Sequence, residues 1–193
     1  MLNIVIAGLG GQGTIFVSRL LGQAAVAAGC IARGCETIGM AQRGGSVVSH
    51  LRLASGGDAA IHSPLVVPGE AGLVLAFETG EAVRAAPFLH DSGVMLTSDC
   101  LVPPVGGGAD YHKEPLLAWL RAACKNLVVA DSAALGAQCG ARFLNTALVG
   151  CALKTGLFPF TPDDVEQAIH AIVKPCYAHD NIQALRAGIS GKR

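Results

Sequence analysis

The sequence predicts an α/β domain, doubly wound around a mostly parallel sheet, and three observations lead there. Short runs rich in β-branched residues alternate with longer helical stretches. Several of these runs are apolar throughout, as strands covered on both faces must be. The first ends in the glycine-rich "GLGGQG" at residues 8 to 13. At 193 residues the chain fits one domain. That length buries roughly 70% of the surface an unfolded chain exposes, enough for a core without disulfides or metal.

The elements follow in order. "LNIVIAG" (2 to 8) is the first strand, and a helix runs from 14 to 29. "GCIARGC" (29 to 35) and "SVVSHLRL" (46 to 53) are the second and third strands. Alternation in the third puts Val48 and His50 on one face and Val47, Ser49 and Leu51 on the other. "ASGGDAAIHSP" (54 to 64) reads as a surface loop. The fourth strand, "AGLVLAF" (71 to 77), precedes a helix over 79 to 90, and the fifth is "GVMLTSD" (93 to 99). A second loop, "LVPPVGGGAD" (101 to 110), leads to a helix over 114 to 124 and a sixth strand, "NLVVADS" (126 to 132).

From there the chain is helical, over 132 to 157 with a break near Phe143, then 161 to 173 and 176 to 188. The helix after Thr161 is the best marked. Thr161 can cap it, Pro162 suits its first turn, and Asp163 and Asp164 complement the positive end of its dipole. Neither loop is long or polar enough for a linker and no repeat is present, so residues 1 to 193 read as a single domain with a helical C-terminal part.

Lysine plus arginine balance aspartate plus glutamate at a formal net charge of zero, and only 15% of residues are charged. No polybasic face advertises nucleic acid or an anionic membrane as partner. The mean hydropathy is high at +0.48, yet apolar runs such as "AGLVLAF" fall far short of the ~20 residues of a membrane span. The surplus suits buried strands and a subunit interface. The N-terminus shows no export signal, so a cytoplasmic protein is expected. Seven cysteines, at 30, 35, 100, 124, 139, 151 and 176, form no C-x-x-C pair and no metal-ligand cluster. They read as reduced, small apolar residues.

Gly8, Gly10 and Gly13 satisfy G-x-G-x-x-G between a strand and a helix. A tight turn, close approach to phosphate and close helix packing each require a missing β-carbon. An NAD reading would add an acidic residue about 20 positions on, and Glu36 is near enough to tempt. No nicotinamide-binding half follows it, however, and the polar island from Gly39 to Arg52 goes unexplained. In that island Arg43 offers a planar donor fork, Gly44 and Gly45 permit close approach, and Ser46 adds a hydroxyl. His50 reads as a hydrogen-bonded structural histidine and Arg52 as an ion-pair or interface residue. The loop after the first strand and the loop before the third can meet at the carboxyl side of the sheet, where open α/β domains bind ligands.

With "GLGGQG", "GMAQRGGSVVSHLR" (39 to 52), "SPLVVPGEAGLVLAFETGEAVRAAPFL", "NTALVGCAL" and "DNIQALRAG", the chain resembles the gamma-type subunits of 2-oxoacid:ferredoxin oxidoreductases over nearly its whole length. Its "QRGG" block favours the indolepyruvate ferredoxin oxidoreductase branch. The resemblance implies a Rossmann-like fold in an enzyme that converts an arylpyruvate, coenzyme A and oxidised ferredoxin to an aryl-acetyl-CoA, carbon dioxide and reduced ferredoxin. It places thiamine diphosphate and 4Fe-4S clusters on a large alpha subunit. The present chain has neither a thiamine motif nor cluster cysteines and would be the cofactor-free subunit, inactive alone.

Carried over by position, Gly10, Gly11, Gln12 and Gly13 would approach the coenzyme A pyrophosphate, with Thr14 as a hydroxyl donor. Arg43, Gly44, Gly45 and Ser46 would line the second side. Single-chain relatives carry lysines where Ala41, Gln42 and Arg43 stand, a departure in the basic loop. Glu78, in "FETGEA", receives no role. A free-standing NAD(P)-binding oxidoreductase and a regulatory module that kept the fold are the other readings.

Overall fold

The computed structural model describes residues 1–38, 44–56, 60–103 and 111–191. Within them the chain forms six strands in one sheet: β1 (Leu2–Leu9), β2 (Ile31–Ile38), β3 (Ser46–Ala54), β4 (Ala71–Ala76), β5 (Leu89–Ser98) and β6 (Asn126–Ala130). Their spatial order is β2-β3-β1-β4-β5-β6. Pairings β1 to β4, β4 to β5 and β5 to β6 are parallel, whereas β3 runs antiparallel to both β2 and β1. The reversal has a simple cause. Residues 39–45 alone separate β2 from β3, too few for the dozen or more that a parallel crossover needs.

Around the sheet lie α1 (Thr14–Ala27), α2 (Thr79–Ala85), α3 (Lys113–Ala123), α4 (Ser132–Cys139), α5 (Leu144–Leu153), α6 (Pro162–Ile172) and α7 (Pro175–Ser190). Strand alternation sends Ile4, Ile6, Leu51 and Leu75 to one face, where they pack on Val17, Leu20, Leu148, Ile169 and Leu185 of α1, α5, α6 and α7. Val5, Ala7, Val74 and Ala76 turn to the other face and meet Ala82, Ala85, Leu117 and Leu120 of α2 and α3. Helices therefore cover both faces, which is why β4 and residues 4–7 of β1 are apolar throughout.

The boundaries shift from expectation where glycine or proline acts. Helix α1 stops at Ala27 because Gly29 turns with φ 79°. The Gly29 and Cys30 amides then donate to the Val26 and Ala25 carbonyls, a closure that defers the second strand to Ile31. The helix expected over 79 to 90 ends at Ala85. Pro87 sits in a short 3-10 turn, and the chain enters β5 at Leu89. The long C-terminal helix breaks at Gly140, φ 81°, followed by a 3-10 turn over Ala141–Phe143 that includes the expected Phe143. At α6, Thr161 and Asp164 cap each other reciprocally: the Thr161 amide donates to Asp164 Oδ2 at 2.7 Å, and the Asp164 amide donates back to Thr161 Oγ1. Among the described residues no helix is long and apolar enough to cross a membrane.

Candidate functional site

The chain's connections leave β1 in one direction and β4 in the other, so the carboxyl ends of these two strands bound the crevice where open α/β sheets bind ligands. The glycine loop forms one wall. Gly13 precedes α1 with φ 88°, and α1 starts without a side-chain cap or an acidic residue in its first turn. The first intrahelical bond runs from the Val17 amide to the Gly13 carbonyl, so the amides at the start of α1 have no partner inside the helix and carry the positive end of its dipole. That arrangement suits an anion.

Two loop amides are otherwise engaged. Gln12 donates its amide to the Leu9 carbonyl at 3.0 Å, and its side-chain oxygen accepts the Leu9 amide at 2.8 Å. The Gly10 amide donates to the Gly45 carbonyl at 2.8 Å. This last bond ties the glycine loop to the segment before β3. It exists because β3 is antiparallel: the register sets Ser46 opposite Leu9, whereas a parallel β3 would begin at the far edge of the sheet. Gly10, Gly11, Gln12, Gly13, Gly44, Gly45 and Ser46 are thereby gathered at one place. Arg43 lies outside the described residues.

Side chains fix this edge. Thr14 is buried, and its methyl stands 3.0 Å from where a β-carbon on Gly8 would be. The Ser46 hydroxyl donates to Glu81 Oε2, which places it against α2. Glu81 also receives Arg84 Nη1 at 2.9 Å. Glu78 caps α2 by accepting the Glu81 amide at 2.8 Å and holds the chain beyond β5 by accepting the Val102 amide at 3.1 Å. Both carboxylates are only 2% exposed.

The other singled-out residues have structural partners. His50 is buried, stacks edge-on against Phe88 and accepts the Val66 amide at Nδ1, and burial lowers its pKa below the ordinary 6.5. Arg52 holds the far edge of the sheet through Asn3 Oδ1 and the Ser63 carbonyl, each at 3.0 Å. Glu36 is exposed on β2, and β3 stands between it and β1, a separation of about 10 Å at ordinary strand spacing. The acidic residue of an NAD site belongs on the strand beside β1, and Glu36 is not there. Among the described residues no three His, Cys, Asp or Glu side chains converge as metal ligands.

A family model described as pyruvate ferredoxin/flavodoxin oxidoreductase matches residues 3–191. The chain belongs to that family. Among curated members it is similar to the indolepyruvate oxidoreductase subunit IorB of Archaeoglobus fulgidus, 34% identical over 99% of this chain and 97% of that protein. The IorB subunit of Pyrococcus horikoshii is 31% identical over 99% and 96%. Solved structures share its fold. The gamma subunit of a keto/oxoacid ferredoxin oxidoreductase from Geobacter sulfurreducens superposes with a TM-score of 0.70 at 17% identity, over 97% of this chain and 96% of that one. A 2-oxoglutarate:ferredoxin oxidoreductase from Magnetococcus marinus, solved with 2-oxoglutarate, coenzyme A and succinyl-CoA bound, gives 0.69 at 16% identity over 98% of this chain and 30% of that one.

In this member of the family, sequence reasoning passed over two residues at the site. Asn145, in the first turn of α5, donates from Nδ2 to the Gln12 carbonyl at 3.2 Å and so braces the glycine loop from below. An asparagine at a helix start reads locally as a cap, and nothing nearby in sequence points across the fold. Glu81 reads as an ordinary acidic residue in a helix's first turn. Its signal was only that "FETGEA" is polar where a strand's carboxyl end meets a helix.

Proposed function

We propose that this chain is the cofactor-free subunit of a thiamine-dependent arylpyruvate:ferredoxin oxidoreductase and forms one wall of its coenzyme A site. The overall reaction takes an arylpyruvate, coenzyme A and oxidised ferredoxin to an aryl-acetyl-CoA, carbon dioxide and reduced ferredoxin. Thiamine diphosphate and 4Fe-4S clusters, which the resemblance places on the large alpha subunit, would supply the decarboxylation and electron-transfer chemistry there. The role of this chain is binding and orientation. The amides at the start of α1, with Gly11 and Gly13 allowing close approach, receive the pyrophosphate of coenzyme A. The segment Gly44 to Ser46 closes the second side, and Arg43, which the resemblance carries to this loop, would supply a charge-assisted donor to phosphate.

The observation that carries the reading is the Gly10 to Gly45 hydrogen bond. It joins two glycine segments, separate in sequence, into one edge at the switch point of the sheet. The IorB names of relatives spanning the whole chain support the arylpyruvate.

The test is Arg43→Ala in the complex reassembled with its thiamine-bearing subunit. Losing a charge-assisted contact costs about 1.5 to 3 kcal/mol, so the KM for coenzyme A should rise roughly ten- to hundredfold while that for the oxoacid moves far less. An effect confined to the oxoacid would move Arg43 to the thiamine side and overturn the assignment. Calorimetric binding of NAD(P) with no heat from coenzyme A would overturn the reading of the site.

A further inference from the structure

Glu81 is a buried carboxylate that helix formation does not require. Glu78 already caps α2 through the Glu81 amide. An ion pair with Arg84 could form at the surface, where the arginine side chain is 61% exposed. The Glu81 carboxylate is instead turned inward, 2% exposed, to accept the hydroxyl of Ser46 on the first residue of β3. A buried carboxylate is stable only with donors of this kind, so the geometry is fixed by Ser46 as much as by Arg84.

Beyond the sheet pairing of Ser46 with Leu9, the segment Gly44 to Ser46 is thus held at two points. The Gly45 carbonyl binds the glycine loop through Gly10, and the Ser46 hydroxyl binds α2 through Glu81. Gly44 has φ 70° and open space around it, and a glycine pair ordered by neither bond would sample many conformations. Without the Ser46 to Glu81 bond the start of β3 stays paired with β1, but Ser46 and the glycines before it lose their tie to α2.

We propose that Glu81 is a positioning residue: it sets the coenzyme A edge by holding Ser46, without touching the ligand. This rests on the coenzyme A reading of the site. The experiment uses the assembled complex carrying Glu81→Ala, Ser46→Ala, both together, or Glu81→Gln, with KM determined for coenzyme A and for the oxoacid. Each alanine variant should raise the coenzyme A KM about tenfold over any change for the oxoacid, as loss of a charge-assisted bond does. The double variant should be no more than about twofold worse than the poorer single one, because both remove the same bond. Glu81→Gln, which keeps an acceptor for the serine, should restore most of the loss. Ser46→Ala leaves strand pairing untouched and keeps the test open if Glu81→Ala fails to assemble.

Losses that add would mean that Ser46 meets the ligand by itself, and a lowered melting temperature with unchanged coenzyme A KM would mean that Glu81 only stabilises the fold. Either overturns the proposal. Arg43→Ala run alongside separates the two levels. If it raises the coenzyme A KM and the Glu81 and Ser46 variants do not, the role of Glu81 falls and the site reading stands. If none of the three changes it, both fall.

Discussion

Gly13 meets two demands at once. Its φ of 88° lies in the left-handed region, and a β-carbon there would overlap Asn145 Nδ2, the group that donates to the Gln12 carbonyl. The backbone demand alone costs an alanine about 1 kcal/mol, and forcing the overlap adds about 1 to 3 kcal/mol. Gly13→Ala should therefore lower the melting temperature by roughly 5 to 15 °C for a domain of this size. Gly11, with φ 102° and nothing within 4 Å of its would-be β-carbon, faces the first demand only, and Gly11→Ala should cost about 1 kcal/mol. Asn145→Ala vacates the contested space, so Gly13→Ala/Asn145→Ala should cost less than the two separately. Strict additivity in thermal melts would show that the overlap is relieved some other way. The glycine spacing made the first demand legible in the sequence. The second was not, because Asn145 lies 133 positions from Gln12 and no local pattern joins them.

Between helices the same reasoning changes sign with the neighbour. Helices α5 and α7 cross so closely that a β-carbon on Gly188 would overlap the Ala147 carbonyl, and one on Gly150 the Leu185 carbonyl. Alanine is a better helix former than glycine by about 1 kcal/mol, yet a backbone carbonyl cannot rotate aside as a side chain can. Gly188→Ala should destabilise the chain by about 1 to 3 kcal/mol in urea unfolding, the range of overpacked cores. Gly22 in α1 meets only Leu51 Cδ1 at 3.8 Å, an ordinary contact, so Gly22→Ala should be neutral or stabilise by up to about 1 kcal/mol. Equal losses at both would contradict the close crossing. At this scale the sequence was informative, since apolar runs, the Thr161 cap and the break near Phe143 are local signals with local causes, although the helix expected over 79 to 90 ran past Pro87, where the chain in fact turns. Strand direction is not local. "SVVSHLRL" reads alike either way, and only the short 39–45 connection hinted that β3 reverses. That reversal brings the second wall of the site to the first.

For the molecule as a whole, the groups with displaced pKa values set a window of stability. Burial lowers the His50 pKa below 6.5, and its Nδ1 must stay unprotonated to accept the Val66 amide. The neutral form therefore belongs to the fold, and its contribution is present above pH 6.5 and lost as pH falls through the lowered value. Asp99 acts in the same direction at lower pH. Burial pushes its pKa up, but hydrogen bonds from the Ser132 side chain and backbone and from Lys113 outweigh it and hold it below 3.8. This junction of β5, α3 and α4 weakens once the carboxylate protonates. On the alkaline side burial raises Cys124 and Cys151 above 9.0, so the thiol is the folded form, present below that pH and lost as pH rises through the raised values. Urea unfolding across pH should thus give a plateau between about 6.5 and 9 with a fall on each side. His50→Gln keeps an oxygen for the Val66 amide but cannot titrate, and should extend the plateau toward the carboxylate range. If its curve tracked the wild type between about pH 5 and 7, the first acid step would belong to another group.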